Sequence, residues 1–157
     1  MKILIATDGS GHGDAAVDAI TRWHYPPDTE VRVVSVVEPP YIPVTTTEGG
    51  DTNLYDQMDT NARAMARAAV DKAAAMLRAG EENHPLHVTT EVLSGSAKRV
   101  ILEDAEAFGA DLIVVGSHGH GMLERFLLGS VSQAVALHAT CSVQIARRPN
   151  TQMRASQ

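Results

Sequence analysis

Read for apolar and polar positions, the chain alternates short β-type runs with longer stretches of helical spacing. The runs cover residues 2–7, 30–37, 86–93, 111–116 and 142–147. Three are rich in Val and Ile, and Asp111-Leu112-Ile113-Val114-Val115 is nearly continuous, which predicts a strand covered on both faces. His87-Val88-Thr89-Thr90-Glu91-Val92 alternates instead, as a strand nearer a sheet edge does. Between the runs, helical spacing predicts helices over residues 13–24, 56–79, 96–108 and 129–138. Their inward positions are read as Ala16, Ile20 and Trp23; Met65, Ala69, Ala73, Met76 and Leu77; Val100, Ile101, Ala105 and Phe108; and Val131, Val135 and Leu137. Gly80 and Gly109 supply stops.

Strand–helix alternation through the whole chain implies an α/β fold: an open parallel sheet with helices on both faces. One domain over residues 1–148 is expected, followed by a flexible polar tail at 149–157. Residues 38–54, with Pro39, Pro40, Pro43, Gly49 and Gly50, form an unusually long connection. Connections of that length inside a compact domain tend to be functional or disordered.

Composition narrows the class. The chain has 157 residues, 44% hydrophobic and 20% charged, which is that of an ordinary globular domain. With 13 basic against 19 acidic side chains, the net charge of −6 argues against a nucleic-acid partner, which needs clustered Lys and Arg. The single cysteine, Cys141, forms no internal disulfide and reads as a packing residue opening an apolar strand. Asp8 arrives too early for a signal-peptide apolar region, and no run approaches the ~20 apolar residues of a membrane span. A cytoplasmic protein without membrane contact is expected.

In open parallel sheets, ligands bind beyond the carboxyl ends of the strands, where the strand order reverses. Two loops there have unusual composition. The first is Thr7-Asp8-Gly9-Ser10-Gly11-His12-Gly13. Its glycines permit close backbone approach. A carboxylate at Asp8 suits ribose hydroxyls, an amine or the water shell of Mg²⁺ better than a bare phosphate; equally, Asp8 and Ser10 could simply cap the first helix. The second loop runs from Gly116 through Gly119 and Gly121 to Gly129-Ser130-Val131-Ser132. A helix N-terminus there attracts anions, and the Ser130 and Ser132 hydroxyls could donate to phosphate oxygens. A glycine-rich turn with a serine cap is the simpler alternative.

Sharper motifs fail. Met122 and Leu123 stand where a P-loop needs Lys and Ser/Thr, and Glu124 stands where a dinucleotide fingerprint needs its third small residue. A phospho-receiver domain needs an Asp after the third strand, where Leu93-Ser94-Gly95-Ser96 stands. His118-x-His120 lacks a convincingly spaced third metal ligand. No nucleophile elbow appears, and no dedicated catalytic constellation is read.

The spacing Gly116-x2-Gly119, nine residues, then Gly129-Ser130 resembles the G-x2-G-x9-G-[S/T] pattern of the ATP-binding branch of the universal stress protein family. The likeness covers nearly the whole chain. Ile3-Leu4-Ile5-Ala6-Thr7-Asp8-Gly9-Ser10 resembles the family's opening strand and loop; Gly109 through Gly119, its fourth strand and glycine loop; Leu127-Leu128-Gly129-Ser130-Val131, the start of its last helix. Ser142 follows Cys141 where many members have Pro. The resemblance implies a single-domain, Rossmann-like sheet in the order 3-2-1-4-5, with ligand between strands one and four.

By motif position it implies Asp8 near the nucleoside and a backbone contact to adenine at Val36. Gly116, Gly119, Gly129, Ser130 and Val131 would surround ribose and phosphates, and Ala6, Val115 and Ser132 complete the implied nucleotide-binding set. The expected cofactor is ATP, with Mg²⁺ held through the phosphates. The implied role is a regulatory stress-response module with an unknown protein partner. A slow ATP hydrolase or phosphotransferase at the same site is the competing reading. A homodimer is expected through the last strand, from Val143 to Arg147, because little charge protects that edge before Arg147.

Overall fold

The structure is a computed structural model and describes residues 1–39, 52–79, 86–119 and 128–147. Expectations for most of the 38–54 connection, for Gly80, His120 and Gly121, and for the tail at 149–157 lie outside the described residues. The elements are β1 (Lys2–Ala6), α1 (Gly11–Thr21), β2 (Glu30–Val37), α2 (Thr52–Ala79), β3 (His87–Ser94), α3 (Ala97–Phe108), β4 (Leu112–Gly116), α4 (Ser130–His138) and β5 (Ser142–Ala146). They form one five-stranded sheet in the order β3-β2-β1-β4-β5, parallel throughout. The expected topology is therefore the observed one, with the alternating run at β3 and the last strand β5 at the two edges.

Alternation along the central strands sends successive residues to opposite faces. Ile3, Ile5, Val31, Val33 and Val114 face one cluster with Ala16, Val17 and Ile20 of α1 and Val70, Ala73 and Leu77 of α2. Leu4, Val34, Ile113 and Val115 face the other, with Ile101, Ala105 and Phe108 of α3 and Val135 of α4. Each fully buried Ile, Leu or Val side chain contributes about 1.5–3 kcal/mol. Two-sided burial explains why β1 and β4 read as continuous apolar runs.

Several helical positions differ from expectation. α1 begins at Gly11 because the Ser10 Oγ accepts the Gly13 N–H, and it ends at Thr21, before Trp23. Trp23 then lies outside the helix, 57% exposed and stacked on Tyr25. α2 starts at Thr52 rather than 56. Its buried stripe centres on Val70, Ala73 and Leu77, so Met65 falls on the outer face at 69% exposure. Leu137 likewise points away from Val135 on α4 and is 69% exposed. Period alone located the helices; which edge of an apolar stripe meets the sheet depended on packing. Cys141 packs beside the second cluster as expected, and burial pushes its thiol pKa up. Gly109, at φ 70°, ends α3 in the left-handed region.

Candidate functional site

β1 and β4 are neighbours where the strand order reverses, and the register sets Ala6 beside Val34 on one side and Val115 on the other. Beyond these strand ends lies a cavity of about 250 Å³, near the lower end of the ~300–1,000 Å³ usual for small-molecule sites. Ala6, Asp8, Val36, Val115, Gly116, Gly119, Gly129, Ser130, Val131 and Ser132 all line it. The residues singled out in the sequence are thus brought together in one place. Thr7, Gly13, Val34, Ala97, Ile101 and His118 complete the wall. Thr7, Gly13 and His118 carried a sequence signal only as members of the two glycine loops, and Val34, Ala97 and Ile101 read simply as core.

The first loop is tightly tied. Asp8 Oδ1 accepts the Ser10 N–H at 3.0 Å, and Thr7 Oγ1 accepts the Gly9 N–H at 3.2 Å. Gly9 has φ 76°, a conformation that disfavours any side chain, and a Cβ there would stand 3.1 Å from the Ala69 Cβ of α2. Capping and ligand approach are therefore divided between two residues: Ser10 caps α1, while Asp8 stays on the cavity wall.

The two loops meet through missing side chains. A Cβ on Gly116 would lie 2.6 Å from the His12 carbonyl oxygen, and one on Gly119 would lie 2.9 Å from Asp8 Oδ2. Glycine at 116 lets the end of β4 pass against the first turn of α1. Glycine at 119 lets the loop backbone pass against the Asp8 carboxylate.

Electrostatics follow from the helix ends. Gly129 caps α4 without a side chain, and the first intrahelical bond runs from the Gln133 N–H to the Gly129 carbonyl at 2.9 Å. The N–H groups of the first turn, at Ser130, Val131 and Ser132, are therefore left uncapped beside the cavity, where the dipole supplies about half a positive charge. α3 differs: the Ala97 N–H donates to Glu38 Oε1 at 2.8 Å, so a carboxylate already occupies that helix end. Asp8 is the one charged side chain among the described residues lining the cavity.

The expectation that the Ser132 hydroxyl serves as a phosphate donor is corrected. It donates to the Gly116 carbonyl at 2.6 Å and is 3% exposed, so its proton is committed to closing the loop. Only its backbone N–H belongs to the open helix end. Among the described residues no group of three or more His, Cys, Asp or Glu could hold a metal ion. No described helix is long and apolar enough to cross a membrane.

Chemically, the cavity has an apolar wall at Val34, Val36, Val115 and Ile101, a carboxylate, and a helix N-terminus. An amphiphilic ligand with a flat apolar part, hydroxyls and an anionic end matches these in turn.

Comparison with known proteins agrees with this architecture. The model of the universal stress protein family matches residues 1–147. A universal stress protein of Methanocaldococcus jannaschii is 33% identical over 149 residues, covering 94% of this chain and 82% of its own. Two solved structures share the fold. A universal stress protein in complex with cAMP has a TM-score of 0.62 and 22% identity, over 94% of this chain and 96% of that one. A universal stress protein family protein of Arabidopsis thaliana with AMP bound has a TM-score of 0.67 and 17% identity, over 100% and 97%. The chain belongs to the universal stress protein family.

Proposed function

We propose that this protein binds an adenine nucleotide in the cavity between the loops after β1 and β4 and acts as a regulatory module in the stress response. The observation that carries the reading is the joint placement of an apolar wall, the Asp8 carboxylate and the uncapped N-terminus of α4 around one cavity. Adenine would lie against Val34, Val36 and Ile101, with β2 backbone at Val36 for its polar edge. Asp8 would accept ribose hydroxyls. The N–H groups of Ser130, Val131 and Ser132 would receive phosphate oxygens. Relatives of the same fold solved with cAMP and with AMP support an adenine ligand.

ATP is the preferred form in this reading, with Mg²⁺ held through the phosphates. Without the metal, a triphosphate would bring several negative charges toward Asp8 with only a helix dipole to offset them. Ligand binding would change the surface that the loop after β4 offers to a protein partner. A homodimer would form along the β5 edge from Val143 to Arg147. Cytoplasmic location, with no nucleic-acid or membrane partner, belongs to the same proposal.

Mass analysis of nucleotide co-purifying with the protein, followed by calorimetry with ATP, ADP, AMP and cAMP with and without Mg²⁺, tests the binding. No measurable affinity for any of them sinks the proposal. Hydrogen exchange over residues 116–132 that is unchanged by saturating nucleotide sinks the regulatory part. Light scattering that shows a monomer at micromolar concentration sinks the dimer.

A further inference from the structure

Beside the N-terminus of α4 runs the backbone of His118, whose imidazole the fold itself does not satisfy. The Gly129 N–H donates to the Ser117 carbonyl at 2.8 Å, and a Cβ on Gly129 would stand 3.3 Å from the His118 Cα. His118 is therefore held by its backbone against the helix end that attracts anions. Its Nδ1 lies 3.1 Å from Ser117 Oγ, and Ser117 is 2% exposed. The other ring nitrogen, Nε2, is buried and has no hydrogen-bond partner among the described residues.

With the Ser117 hydroxyl donating to Nδ1 the ring proton sits on Nε2; with Nδ1–H donating to Ser117 Oγ, Nε2 is a bare acceptor. In either tautomer Nε2 is a buried polar atom without a partner among the described residues, an arrangement proteins seldom tolerate unless the group has other work. His12 is the neighbouring ring, with centroids 5.3 Å apart at 56°, and the contact leaves Nε2 unpaired. His118 also forms part of the cavity wall.

We infer that His118 is a specificity residue of this cavity, donating its Nε2–H to a phosphate oxygen and so separating adenine nucleotides from the bare nucleoside. This rests on the nucleotide reading of the cavity and adds the residue that reads the phosphate. The apolar wall and Asp8 serve adenosine and its phosphates alike. Only a ligand with an anionic end at α4 reaches His118. Loss of a hydrogen bond to a charged group lowers affinity about 10- to 100-fold, and here that loss falls on phosphorylated ligands alone.

The test is calorimetry with adenosine, AMP and ATP on the unchanged protein, His118→Gln and His118→Asn. A Gln amide nitrogen stands near the Nε2 position, whereas that of Asn stands near Nδ1 and falls short. The unchanged protein and His118→Gln are expected to prefer AMP to adenosine by similar factors. His118→Asn is expected to lose about tenfold or more of that preference while binding adenosine as before, which also reports that it is folded. On the unchanged protein, the ¹⁵N resonance of His118 Nε2 should move with AMP and stay in place with adenosine. This measurement decides the matter if His118→Asn fails to fold. An AMP preference retained in His118→Asn, or an Nε2 resonance that responds equally to adenosine, overturns the assignment alone. Failure of the unchanged protein to bind AMP or ATP overturns the nucleotide reading and this assignment with it.

Discussion

Gly119 and Asp8 meet across the cavity mouth so closely that a Cβ on the glycine would stand 2.9 Å from Asp8 Oδ2. The loop after β4 is held against the loop after β1 by the absence of one methyl group. The Asp8 carboxylate, to which the proposed function assigns the ligand hydroxyls, would be the first group displaced by any side chain there. Gly119→Ala should therefore keep the fold, since residue 119 is exposed and has an ordinary φ, while ATP affinity falls about tenfold, the ~1.4 kcal/mol within the usual range for overpacking. Calorimetry alongside thermal unfolding reads both quantities. Affinity unchanged with a lowered Tm would contradict the prediction.

Gly116→Ala should act on stability instead. Its Cβ would meet backbone on the far side, 2.6 Å from the His12 carbonyl oxygen and 3.1 Å from the Gly13 nitrogen. Backbone cannot rotate aside as a side chain can, so β4 and α1 must separate. The expected cost is about 2–3 kcal/mol, or a Tm lowered by ~5–10 °C in a chain of this size. A Tm within a degree of the unchanged protein would refute it.

Ser132→Ala separates structural from ligand-binding roles at the start of α4. Removing the hydroxyl leaves the Gly116 carbonyl without its 2.6 Å donor, at a cost of about 1–2 kcal/mol for a buried polar group left unpaired. Because the Ser132 backbone N–H remains, nucleotide affinity should change less than about threefold, under ~0.7 kcal/mol. Denaturant unfolding and calorimetry on one preparation measure the two effects. A large affinity loss at unchanged stability would mean that the hydroxyl binds the ligand directly.

Tyr25 provides a pH dependence unrelated to the cavity. Burial pushes its phenol from 10.0 up to about 12, and its hydroxyl has no hydrogen-bond partner among the described residues. The folded state holds the proton more tightly than the unfolded state. This contribution to stability is complete below pH 10 and is lost as pH rises through the folded value near 12. Tyr25→Phe should remove this part of the alkaline loss and leave stability at neutral pH equal or slightly higher. Absorbance titration of the tyrosines would count against it if every phenol titrated near 10.

The sequence by itself determined the order and type of the elements, because burial on both faces of a parallel sheet demands nearly unbroken apolar strands such as Leu112–Gly116. It also marked the cavity, since Gly116, Gly119 and Gly129 occupy places where backbone passes backbone, carboxylate or helix end, contacts that a side chain would crowd. Tertiary structure decided the rest. Trp23, Met65 and Leu137 fit the helical period of a core position yet lie outside, because only packing selects which edge of an apolar stripe faces the sheet. The Ser132 hydroxyl was readable as a ligand donor until the fold brought the Gly116 carbonyl to it across sixteen positions of chain. Glu38 at the start of α3, and His118 held between Ser117, His12 and Gly129, likewise depend on segments far apart in the chain. Local periodicity reports which residues want to be buried. Hydrogen-bond commitments are settled only when distant backbone groups arrive.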